Sequence, residues 1–115
     1  MKVFRQGQIG LVNFDPSFGH EYQKTRPAII IQHNDTINYS NLLTIVPISS
    51  QLTTITELDI LIKSTSKNRL MKDSLIKTKH ISSFDKRRFI KLIGICEENT
   101  LNIINKNIKK FLFNN

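Results

Sequence analysis

Arg26 stands directly before Pro27 and the continuous apolar run Ala28-Ile29-Ile30-Ile31. A planar guanidinium donates two hydrogen bonds to one phosphate, so an arginine at the mouth of a buried strand is suited to hold an anion. It is equally suited to end a loop. A second apolar run closes as Pro47-Ile48-Ser49-Ser50-Gln51, where the Ser49 hydroxyl can donate to an anionic oxygen or simply brace a turn. Glu21, five residues before Arg26, offers a carboxylate that is either a base or a loop brace. His80 brings an imidazole, the side chain that titrates near neutrality. Cys96 is the single cysteine, so no internal disulfide forms; as a nucleophile it needs an adjacent base or a helix dipole, and a small buried residue is the plainer reading. His20, His33 and His80 do not fall at metal-ligand spacings, so no metal site and no cofactor is expected.

The location of charge says more than its sum. The net charge is +8, yet residues 1–61 carry four basic and five acidic side chains. Residues 62–91 carry ten basic ones against Asp73 and Asp85, which alone accounts for the +8. Positive charge gathered in one stretch attracts a polyanion, whether nucleic acid, acidic polypeptide or membrane surface.

The elements that must position these groups are short. A chain of 115 residues suits one domain, and no repeat or linker divides 1–115. Gln8–Phe14 alternates polar and apolar, as a half-buried strand does, and Asp15-Pro16 ends it. Pro27–Gln32 predicts a strand buried on both faces, and Leu42–Ile48 another, with Pro47 at an edge or bulge. Leu58–Ile62, Ser74–Thr78 and Lys91–Ile95 are shorter strand candidates. Then the period changes: Leu101, Ile104, Ile108, Phe111 and Leu112 recur at three and four residues, predicting a terminal amphipathic helix laid on a sheet. Glu97 and Glu98 at its start and Lys109 and Lys110 near its end suit the helix dipole. Short strands followed by one helix indicate an α+β fold built on a small curled β-barrel. No apolar run reaches membrane-spanning length and the first residues hold no signal-peptide core, so a cytoplasmic protein with no membrane association is expected.

Two segments carry a resemblance. The first is Gly7-Gln8-Ile9-Gly10-Leu11-Val12-Asn13-Phe14-Asp15-Pro16 with Gly19-His20-Glu21 and the run Arg26-Pro27-Ala28-Ile29-Ile30-Ile31; the second is Leu43-Thr44-Ile45-Val46-Pro47-Ile48-Ser49-Ser50-Gln51. In order and spacing the chain resembles the MazF/PemK toxins of type II toxin–antitoxin systems over nearly its whole length. That resemblance implies an SH3-like barrel that dimerises, cuts single-stranded RNA at short recognition sequences without metal, and is silenced by an antitoxin. The ribose 2′-hydroxyl would attack its own phosphodiester, leaving a 2′,3′-cyclic phosphate and a 5′-hydroxyl. Arg26 matches the family's catalytic arginine and Ser49 its active-site threonine or serine.

Arginine does not release its proton in a protein, so Glu21 is the better base, with His80 as a further acid or RNA contact where relatives often carry glutamine. Phe18, Tyr22, Gln51, Lys77 and Lys79 are the remaining RNA contacts expected, with Tyr39 as a further aromatic near the groove and Phe14 assigned to the core. An acidic antitoxin segment would fold across the basic groove. Two alternatives stay open: a gyrase-inhibiting toxin of the same fold, whose terminal tryptophan motif this Trp-free chain lacks, and a basic barrel that binds RNA without cutting it.

Overall fold

The computed structural model describes residues 3–14 and 25–113. Seven strands run β1 (Gln8–Asn13), β2 (Thr25–Ile30), β3 (Leu42–Ser49), β4 (Asp59–Ile62), β5 (Ser74–Lys77), β6 (Ser82–Asp85) and β7 (Phe89–Ile95), and helix α1 (Glu98–Phe113) follows. The sheet is antiparallel in the order β4-β5-β3-β2-β1-β7, with β6 paired to the first half of β3. It curls strongly but stays open: among the described residues no ladder joins β6 to β7, which are linked by the 3-10 turn Lys86–Arg88. The α+β reading and the terminal helix are therefore borne out, with the barrel realised as an open curled sheet.

The apolar pattern explains the curl. Ala28, Ile29 and Ile30 are all fully buried, as a strand covered on both faces requires. Ala28 and Ile30 pack inside the curl with Val12, Phe14, Leu43, Ile45 and Phe89. Ile29 points the other way, into a second cluster with Ile9, Val46, Ile48, Ile76 and Ile104. Leu101 and Ile108 of α1 join that second cluster, so the helix covers the outer face of the sheet. Phe111 and Leu112 do not follow: they are 42% and 50% exposed, because the last turn of α1 carries them past the face the helix covers.

Pro47 is placed differently from the edge expected of it. β3 lies inside the sheet, yet its outer edge changes partner there, from β6 (Leu42 to Ile45) to β5 (Ile48 and Ser49). Ile31 N donates to Thr44 O at 3.1 Å, so alternation along the ladder turns the nitrogen of Pro47 away from β2 and into that change of partner. Strand β6 and the 3-10 turn Asn34–Tyr39 were not foreseen, because Ser82-Ser83 and a run of Asn, Asp and Thr carry no apolar period.

Candidate active site

β2 and β3 are neighbours, with Ala28 opposite Pro47. Arg26 lies two residues before Ala28 and Ser49 two residues after Pro47, so both leave the same end of the strand pair, and strand alternation assigns both to the face of Ala28 and Ile45, opposite that of Ile29 and Ile48. Arg26 borders a cleft of about 400 Å³. Leu11, Pro27, Ile48 and Ile93 line it from β1, β2, β3 and β7, continuing the apolar face of the second cluster. Arg69, Leu70, Met71 and Lys72, from the connection between β4 and β5, form the facing wall, and Lys91 completes the lining with Ser50 and Ser74. Ser49 itself stands between Ile48 and Ser50, its Oγ accepting from Gln51 N at 3.2 Å. Among the described residues no carboxylate lines the cleft.

The wall is a built loop. Asn68 is buried and ties it from within: its Oδ1 accepts from Thr65 N and from Leu70 N, each at 3.0 Å, and its Nδ2 donates to Lys63 O at 2.9 Å. Asp73 is turned into the same loop, accepting from Ser64 N at 2.8 Å. The loop is then bonded to β7 through Ile95 N and Lys67 O at 3.0 Å. Arg69 sits in the left-handed region with φ of 56°, unusual for a side-chain-bearing residue.

The basic stretch separates into two populations. Lys77 donates to Asp59 Oδ2 at 2.8 Å, Lys86 to the carbonyl of Ile37, Arg87 to Asp85, and Arg88 lies 5.6 Å over the Phe84 ring. These cations brace the fold. Arg69, Lys72 and Lys91 instead join Arg26, from outside that stretch, around the apolar cleft, where among the described residues no ion pair neutralises them. Arg69, Lys72 and Lys91 were not singled out by sequence; their only signal was membership of the basic stretch.

The remaining residues fall as follows. Glu21, Phe18 and Tyr22 lie outside the described residues. Phe14 is fully buried, as expected. Tyr39 is exposed but sits before β3 begins, at the end of the strand pair opposite Arg26. His80 ends the 3-10 turn Thr78–His80, beyond the end of β5 that is remote from Ser49, since Leu75 is the residue opposite Ser49. Lys79 shares that turn and Gln51 is exposed beyond β3. Cys96 is 6% exposed, and burial pushes its thiol up to about 11, which leaves it protonated and unreactive at neutral pH.

A family model for the PemK-like, MazF-like toxin of type II toxin–antitoxin systems matches residues 5–112. The chain belongs to that family. It is 28% identical over 98 residues to Endoribonuclease MazF9 of Mycobacterium tuberculosis, across 80% of this chain and 81% of the relative. The fold is similar to that of MazF from Deinococcus radiodurans, with a TM-score of 0.81 at 18% identity over 97% of this chain and 98% of that one. The MazE–MazF structure from the same organism gives a TM-score of 0.76 at 15% identity, covering 98% of each chain. The Arg-Pro opening of β2 and the Pro-Ile-Ser end of β3 are segments that carry the sequence resemblance; Arg26, Pro27 and Ile48 line the cationic cleft, and Ser49 does not.

Proposed function

We propose that this toxin-family chain is a sequence-specific, metal-independent endoribonuclease that cleaves single-stranded RNA through the ribose 2′-hydroxyl and thereby arrests translation and growth. The observation that carries the reading is the exit of Arg26 and Ser49 from one end of adjacent strands, with Arg26 bordering a cleft that among the described residues is lined by four cations and no carboxylate. In the reaction Arg26 neutralises charge that grows on the phosphoryl oxygens, and the Ser49 hydroxyl holds the phosphate in line with the attacking 2′-oxygen. The arginine keeps its proton, so the 2′-hydroxyl proton goes to another group. Glu21 is the carboxylate proposed for it; the segment that contains it joins Asn13 to Thr25, which pair with each other next to Arg26. The leaving 5′-oxygen takes a proton from an acid, and His80, beyond the end of β5 remote from Ser49, is not placed to supply it.

The partner follows from the same electrostatics. An acidic antitoxin segment that folds across the cleft would occupy the phosphate positions and silence the enzyme. The MazE–MazF structures from Deinococcus radiodurans support that reading, and a homodimer is proposed on the family resemblance. The test is purified protein incubated with a long RNA in EDTA. Discrete fragments with 5′-hydroxyl and 2′,3′-cyclic phosphate ends are expected, and Arg26→Ala abolishes them. Intact RNA across several unrelated transcripts, with the protein folded, refutes the proposal.

A further inference from the structure

We infer that Arg69 is a phosphate-binding residue at the middle of a track that carries the RNA away from Arg26, an inference that rests on the ribonuclease reading above. A second, shallower cavity adjoins the cleft, and the two share Arg69 and Ile93. Lys67, Ser66 and Gln8 line the second cavity with residues 92–95 of β7, and again no carboxylate does among the described residues. The cationic side chains thus form a continuous line: Arg26, Lys72 and Lys91 about the first cavity, Arg69 between the two, Lys67 at the second. Cations set beside apolar side chains in adjoining cavities match single-stranded nucleic acid, whose phosphates are spaced by bases that pack on apolar surface.

The backbone supports the assignment. Arg69 occupies a left-handed conformation that disfavours any residue with a Cβ. Glycine would sit there at lower cost. Asn68 and the bond from Ile95 N to Lys67 O hold the loop down while Arg69 itself stays exposed. The turn closed by Arg69 N on Thr65 O at 2.9 Å thus presents a long exposed cation from a backbone position that disfavours a side chain.

The experiment measures binding of a fully 2′-O-methylated random 20-mer RNA, which cannot undergo 2′-hydroxyl attack, as a function of salt. Arg69→Gly should weaken binding by about tenfold. It should also lower the slope of log affinity against log salt by about 0.7, the value for one phosphate contact on a single strand. Its melting temperature should stay level or rise, because glycine relieves the backbone. Arg69→Lys should keep the slope, and Lys109→Ala, on the exposed part of α1, should change nothing. Unchanged affinity and slope in Arg69→Gly overturns the inference. So does a changed sedimentation coefficient of the RNA-free variant, which would make this face a contact between copies. Loss confined to binding of poly-glutamate would assign the track to an acidic polypeptide and also overturns it. Cleavage of unmodified RNA by the wild type judges the ribonuclease reading separately: cleavage with an unaltered Arg69→Gly sinks only the track, and binding loss without any cleavage sinks only the catalysis.

Discussion

The carbonyl of Asn68 lies so close to Gly94 that a Cβ built on the glycine would stand 2.2 Å from the Asn68 oxygen and 2.9 Å from that of Lys67. The glycine is needed for this close approach of two backbones and not for a left-handed φ, which it does not have. Because both atoms it would meet are backbone, the neighbour cannot swing away. Gly94→Ala therefore has to lift the loop that carries Arg69, Met71 and Lys72. A cost of about 1–3 kcal/mol is expected for such overpacking, seen as a lower melting temperature, together with weaker RNA binding because the cationic wall shifts.

Arg26→Ala should reduce single-turnover RNA cleavage by about a thousandfold, the scale found when a preorganised donor to a transition-state anion is lost. Arg26→Lys keeps a charge without the planar fork and should recover only part of that loss. Equal rates for Arg26→Ala and wild type would remove Arg26 from the reaction.

Ser49 should respond to its hydroxyl rather than its size. Ser49→Ala removes one hydrogen bond of about 1–1.5 kcal/mol and should slow cleavage by roughly tenfold. Ser49→Thr keeps the hydroxyl and restricts its rotamer, so its rate should match or exceed wild type. Parallel losses in both variants would point to packing instead.

Acid stability should report on Asp59. Its side chain is 1% exposed, and burial pushes its carboxyl up, but the hydrogen bonds from Lys77 and Thr56 together hold it below the ordinary value. A carboxyl depressed in the folded state stabilises the fold above its unfolded pKa of about 4 and loses that contribution as pH falls through the folded value. Urea midpoints of wild type should thus fall below about pH 4, and Asp59→Asn should flatten the drop. An unchanged acid limb in Asp59→Asn would show that the pair contributes nothing to it.

Cys96 should resist alkylation. Its thiol is buried and raised to about 11, so little thiolate exists at pH 8. Iodoacetamide should label the unfolded chain in urea rapidly and the native protein only at the rate of opening. Prompt labelling of the native protein would contradict the burial.

Much of the fold could be read from residue order. Six of the seven strands and the helix announce themselves through apolar period, because burial on one or both faces has to be written into every second residue or every third and fourth. β6 was hidden, since Ser82-Ser83-Phe84-Asp85 pairs by backbone along Leu42 to Ile45 and buries only Phe84. Arg26 and Ser49 were legible through the short motifs around them. Arg69, Lys72 and Lys91 were not distinguishable from Lys77, Lys86 and Arg87, because like charges in one stretch look alike until each has or lacks a neighbour.

The sequence by itself determined that this chain is basic and α+β, with an arginine directly before a buried strand, because charge and apolar period are properties of residue order. Only the tertiary structure decided which cations are spent on bracing and which surround the cleft. That division depends on contacts between residues far apart in the chain, such as Gly94 with Asn68, and no local pattern encodes them.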